Sequence, residues 1–187
     1  MATSLQNMSN YNPDIVPNAQ GMCFGIVVSD YNADITYALL DGCYETLLNN
    51  GASSENIFVW HVPGAFELPL GAKLLYQTVS PDAVICLGCV ITGETKHDEY
   101  INRNVSSALM KLGLRYNTPF IFGVLTPQSL TQAQDRAGGK HGNKGVESAI
   151  AAIQMSALKQ AQKQIEAQHL ADILHNFENF DTANETQ

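Results

Sequence analysis

Positive charge is scarce in this chain: Lys and Arg total 10 of 187 residues against 18 Asp and Glu, a formal net charge of −8. A surface of that sign repels a phosphate backbone, which excludes a protein that collects nucleic acid by neutralising phosphates. Any anionic substrate has to be gripped locally. Long apolar runs are missing too, so no segment is built to span a bilayer. The opening MATSLQNMSNYNPDIVPNAQ has no basic start, apolar stretch or small-residue cleavage site. The expectation is a cytoplasmic protein with neither membrane nor nucleic acid as partner. Neither GxGxxG nor GxxxxGK[ST] occurs, which removes support for a dinucleotide or nucleoside triphosphate site. The four cysteines (Cys23, Cys43, Cys86, Cys89) sit in or beside apolar runs, a pattern of reduced, buried thiols rather than a disulfide framework. The lone CxxC, Cys86 to Cys89, reads as strand, where residues three apart face opposite sides, so both belong to the core. His61, His141, His169 and His175 show neither HExxH spacing nor carboxylate partners that point to zinc. No metal and no cofactor is expected.

What the chain has is apolar material for one packed core, 45% of its residues, arranged in a repeated alternation of strand and helix patterns. Short apolar runs at 23–28, 57–61, 83–89 and 120–124 predict four strands. Helical spacing follows each, over 33–50, about 66–77, about 97–112 and near 129–136, and a last long helix is predicted from about Asn143 to Gln168 with Val146, Ile150, Ile153, Met155, Ala157 and Leu158 on its buried face. This βαβα order predicts an α/β domain with a parallel sheet covered by helices on both faces. Residues 1–21 read as an N-terminal arm and 22–168 as the domain. Residues 169–187 are acidic, without Lys or Arg, and read as a frayed helix end and disordered tail.

In an open parallel sheet the ligand lies beyond the carboxyl ends of the strands. Four segments follow those ends: Ser29-Asp30-Tyr31-Asn32, Val62-Pro63-Gly64-Ala65-Phe66-Glu67, Ile91 to His97, and Thr126-Pro127-Gln128. Gly93-Glu94-Thr95 can present backbone N–H groups and a hydroxyl at a helix start, where partial positive charge favours an anion such as phosphate. His97 follows at once, with the side chain best matched to proton transfer near neutral pH. Spacing alone equally fits an ordinary helix cap carrying a surface histidine. Arg136, Lys140 and Lys144 cluster around a glycine-rich stretch, 137–145, that reads as a kink. The two lysines fit a solvated helix end, whereas the fork of Arg136 suits phosphate.

Taken in order, Gly25 to Ser29 with Tyr31-Asn32, Val62-Pro-Gly-Ala-Phe-Glu-Leu-Pro69, Gly88 to Ile91 with Gly93-Glu-Thr-Lys-His97, Phe122-Gly123, Asp135-Arg-Ala-Gly138 and Gly142-Asn-Lys-Gly145 resemble the lumazine synthase family over roughly 25–158. The resemblance implies a flavodoxin-like three-layer sandwich with a central four-stranded parallel sheet. It also implies the condensation of 5-amino-6-ribitylaminouracil with 3,4-dihydroxy-2-butanone 4-phosphate in riboflavin biosynthesis, without a cofactor. His97 would move protons, and Gly93, Glu94, Thr95 and Arg136 would hold phosphate. Tyr31 would stack on the pyrimidine beside Asn32, Ala65, Phe66 and Glu67 would contact the ribityl side, and Val90 and Ile91 would line the heterocycle pocket. Phe122, Asp135, Arg136 and Lys144 would come from an adjacent copy in a homo-oligomer, a pentamer or an icosahedral shell of pentamers, with riboflavin synthase as a further partner.

Four positions depart from the family pattern. Tyr31 stands where Phe or Trp is usual and keeps the aromatic face. Thr92 and Asp98 stand where a basic and an aromatic residue are usual, and Asp98 could raise the pKa of His97 by proximity. Asp30, often Arg in relatives, places another acid near the expected mouth. Two other readings share these motifs: an archaeal-type riboflavin synthase, and a shell protein that binds flavin or lumazine. The phosphate turn and Arg136 favour a phosphorylated substrate over the first. The resemblance of His97 and Arg136 to a working site favours an enzyme over the second.

Overall fold

A computed structural model of the protein describes residues 9–184, with side chains through residue 173. The chain divides into two compact units, residues 1–156 and 157–187. The first holds four parallel strands, β1 (Phe24–Ser29), β2 (Ile57–Val62), β3 (Ala83–Cys89) and β4 (Phe120–Leu125), in the order β2-β1-β3-β4. Every residue of β1 and β3 is buried, which is why both read as unbroken apolar runs: a central parallel strand is covered on both faces. Register is fixed through the centre, where Val28 lies opposite His61 on one side and Leu87 on the other.

Helices α1 (Ala33–Asn49), α2 (Leu68–Val79), α3 (His97–Tyr116), α4 (Leu130–Asp135) and α5 (Lys144–Asn184) complete the order. On one face Leu68, Ala72 and Leu75 of α2 and Val105 and Leu109 of α3 pack in a single cluster with Val27, Val84, Cys86 and Val124 of the sheet. The other face carries α1 and the beginning of α5, which approach closely because Gly145 has no side chain: a Cβ there would strike the carbonyl oxygen of Leu39. The result is the expected three-layer α/β sandwich of flavodoxin-like type.

Several expectations are corrected. The stretch 137–145, expected as a kink between two helices, is instead a small antiparallel ladder of β5 (Ala137–Gly139) and β6 (Gly142–Asn143) leading into α5, with Gly138 and Gly142 at positive φ. Asn143 locks it down, its Nδ2 donating to the carbonyl of Ala38 and its Oδ1 accepting from the amide of Gly145. The last helix does not end near Gln168: it continues to Asn184, and residues 185–187 of the expected tail lie outside the described residues. Past Gly145 the chain has no Gly or Pro to stop a helix, and pairs such as Gln162–Glu166 and Gln168–Asp172 support it at i,i+4 spacing. Acidity alone was a poor guide to its end. Met155 and Leu158 are exposed, because the buried stripe runs through Ala149, Ala152, Ile153 and Ser156. The described part of the arm, residues 9–21, contains no strand and turns back on its own chain, where Ala19 donates to the carbonyl of Asn50 and Ser9 donates to that of Asn143.

Candidate active site

All four strands point their carboxyl ends to the same edge of the sheet, and the strand order reverses between β1 and β3. At that crevice lies a cavity of about 730 Å³, a size suited to a small organic ligand. Its walls come from three strand ends: Tyr31 and Asn32 after β1, Gly64 to Glu67 after β2, and Cys89 to Ile91 with Gly93 and Thr95 after β3. The first turns of α3 close it with His97, Asp98, Tyr100 and Ile101.

Asn32 is the pivot of the β1 end. It adopts a left-handed conformation, φ 59°, which Asn tolerates better than most residues, and its side-chain amide donates to the carbonyl of Cys89 at 2.9 Å. This bond ties β1 to β3 and leaves Tyr31 projecting at 71% exposure. Phe66 and Tyr100 also present largely exposed rings, so the cavity is bordered by exposed aromatic faces. Cys89 is buried at its back, and burial pushes its thiol up to about 11, a neutral group at physiological pH. The sequence pattern placed both Cys86 and Cys89 in the core, and both are buried there.

The loop after β3 is held at its base, where the Thr92 amide donates to the carbonyl of Pro127 at 2.9 Å. Thr92 Oγ1 also donates to Asp98 Oδ2 at 3.1 Å. Thr92 and Asp98 are thus partners, spanning the Gly93–His97 turn. Helix α3 starts at His97, so its N-terminal N–H groups and positive dipole end lie beside Thr95 at the cavity. Gly93 and Thr95 line the cavity; Glu94 does not. The turn is therefore a helix start and a cavity wall at once.

The structure gathers Tyr31, Asn32, Ala65, Phe66, Glu67, Val90, Ile91, Gly93, Thr95 and His97 around one space, and leaves Phe122, Asp135, Arg136 and Lys144 outside it. Arg136 donates from one guanidinium nitrogen to the carbonyl of His141 and from another to Glu147, both at 2.6 Å. Lys144 donates to the second Glu147 oxygen at 3.1 Å, and Lys140 lies 3.6 Å from Asp135. Three cations face two carboxylates, leaving one positive charge in excess. Sequence reasoning missed Tyr100 and Ile101, although they stand three and four residues beyond His97 and so share its helix face.

His61 has a carboxylate partner after all: its Nδ1 lies 2.7 Å from Asp30 Oδ1, which also accepts from Tyr37 at 2.9 Å. The hydrogen bond from His61, then that from Tyr37, holds the Asp30 carboxyl below its ordinary range. Asp30 is thus engaged with β2 and α1 and does not line the cavity. Among the described residues no group of three or more His, Cys, Asp or Glu gathers as metal ligands, and no helix is long and apolar enough to cross a membrane.

Comparison with known proteins agrees with this geometry. The sequence profile of 6,7-dimethyl-8-ribityllumazine synthase matches residues 21–160. Proteins of that name from Parabacteroides distasonis and Cytophaga hutchinsonii are each 50% identical to the chain, over 155 and 157 residues, covering 83% and 84% of it and 97% and 98% of the relatives. The one from Flavobacterium johnsoniae is 46% identical over 160 residues, 86% of the chain and 84% of that protein. A profile match across the whole four-stranded sheet and every wall of the cavity, with relatives this similar over 84% or more of their own length, makes the chain a member of the 6,7-dimethyl-8-ribityllumazine synthase family.

Proposed function

We propose that the protein is a transferase of riboflavin biosynthesis. It condenses 5-amino-6-ribitylaminouracil with 3,4-dihydroxy-2-butanone 4-phosphate to give 6,7-dimethyl-8-ribityllumazine, phosphate and two waters. The observation that carries the site assignment is the meeting of an exposed aromatic, a helix N-terminus and a histidine in one cavity. The amine attacks the ketone and water leaves to form an imine, loss of the C3 proton expels phosphate and leaves an enol that tautomerises to a new C3 carbonyl, the ribityl-bearing nitrogen closes the ring on that carbonyl, and a second water is lost. Every step moves protons between nitrogen, carbon and oxygen, which His97 is placed to do at the head of α3. Tyr31 stacks on the pyrimidine, and Glu67 accepts hydrogen bonds from ribityl hydroxyls. The N–H groups opening α3, with Thr95, take the phosphate.

One charge is missing from this arrangement. No residue lining the cavity is Lys or Arg, whereas a phosphorylated substrate gains most from a bidentate cation. Arg136 lies outside the cavity of its own chain, already aimed by His141 and Glu147, and is the group to serve the cavity of an adjacent copy. Phe122, on the sheet's outer strand β4, accompanies it. The working site is shared between subunits, and a closed ring is the assembly that gives every cavity a neighbour. Incubating the protein with both substrates and following lumazine fluorescence with phosphate release tests the reading. Enzyme-dependent, stoichiometric formation of both products is expected; product at only the spontaneous rate would overturn it.

A further inference from the structure

Tyr31 poses a positioning problem. It is 71% exposed, so packing within the chain does not fix its ring, yet a stacking platform works only if the ring stands where the heterocycle arrives. Both of its neighbours are anchored. On the C-terminal side Asn32 is bonded to β3 through the Cys89 carbonyl. On the N-terminal side the Asp30 amide donates to the Val62 carbonyl at 2.8 Å, and its carboxylate receives both His61 of β2 and Tyr37 of α1 on the same oxygen. The rings of Tyr37 and His61 meet edge to face, with centroids 5.7 Å apart and planes at 88°, so the two groups hold each other as well as Asp30.

We infer that Asp30, clamped by His61 and Tyr37, is a positioning residue that presets Tyr31 for stacking. The clamp joins three elements one residue before the platform, and Asn32 joins a fourth one residue after it, leaving Tyr31 suspended between two fixed points. Asp30 itself touches no part of the cavity, so it acts only through Tyr31 and the β2 loop that follows His61. Because stacking is made equally in the ground state and the transition state, losing the clamp raises KM and spares kcat. The inference rests on the reading of Tyr31 as the pyrimidine platform.

The test compares the wild-type protein with Asp30→Ala and Asp30→Asn, the latter keeping an oxygen acceptor for both His61 and Tyr37. Asp30→Ala is expected to raise KM for the pyrimidine about tenfold, with kcat and KM for the phosphorylated ketone changed less than about twofold. Asp30→Asn is expected to recover most of that loss. Hydrogen exchange gives a second readout independent of turnover: the amides of residues 30, 35 and 36, bonded to the Val62 and Asn32 carbonyls, should exchange about tenfold faster in Asp30→Ala and near the wild-type rate in Asp30→Asn. An unchanged pyrimidine KM, equal losses for both substrates, or exchange untouched by Asp30→Ala would each overturn the clamp. If the wild-type protein forms no lumazine, the reaction reading fails by itself and the exchange comparison still decides whether Asp30 fixes this segment.

Discussion

His97 illustrates how much one side chain takes from its place in the fold. The residue opens α3 at the cavity wall, so a ligand in the cavity would meet it at the end of the helix where developing negative charge is also favoured. In the reaction proposed above, replacing it with Ala would remove proton transfer and leave the stacking and ribityl contacts in place. Condensation should slow by about 10- to 10³-fold, the low end of acid–base contributions because amine and ketone are reactive on their own. Single-turnover rates with both substrates, alongside pyrimidine affinity, measure the two effects separately; an unaltered single-turnover rate would remove His97 from the chemistry. The cysteines make a different residue-scale prediction. Burial raises the thiols of Cys43, Cys86 and Cys89, the last to about 11, against an ordinary value of 9.0. Above pH 9 the unfolded chain therefore loses thiol protons that the folded chain keeps, so stability is intact below that pH and falls as pH rises through it. Each thiol ionised only in the unfolded chain contributes a slope of about 1.4 kcal/mol per pH unit. Urea midpoints taken from pH 8 to 10 should fall, and fall less steeply in Cys86→Ala.

At the scale of elements, the strands were the most legible part of the sequence. A buried parallel strand has to be apolar at nearly every position, and β1 and β3 are buried throughout. The cavity walls were legible for a related reason: they follow the strand ends, so locating the strands located Tyr31, Ala65 and Ile91. Whatever depended on partners far along the chain was not. Asp30 and His61 are 31 residues apart, and only the parallel pairing of β1 with β2 brings them together. The 137–145 stretch misled because its glycines were read for freedom to bend, whereas Gly145 serves close approach. Its Cβ would meet a backbone oxygen of Leu39, which cannot swing aside as a side chain could. Gly145→Ala should thus cost about 1–3 kcal/mol or more by forcing α5 away from α1. Equilibrium denaturation would show it as a lowered midpoint, and a midpoint equal to that of the wild-type protein would mean that the two helices are not in contact there.

At the scale of the whole molecule, the separation of His97 from Arg136 sets up a test that no single variant provides. One chain supplies a cavity with a histidine, an exposed aromatic ring and a helix N-terminus but no Lys or Arg, and carries Arg136 outside that cavity. If a neighbour supplies the arginine, His97→Ala and Arg136→Ala damage different partners of each shared site. Either variant alone leaves every site deficient. Co-expressed and randomly mixed in one ring, they leave about one site in four with His97 from one subunit and Arg136 from the next, so activity should return to about a quarter of the wild-type level. Proteins purified apart and mixed without subunit exchange should stay at the level of the single variants. If His97 and Arg136 instead served the same site within one chain, every site in the mixture would still lack one of them, and co-expression would restore nothing. The readout is the initial rate of lumazine formation in the mixed oligomer, with light scattering to show that assemblies of equal size are compared.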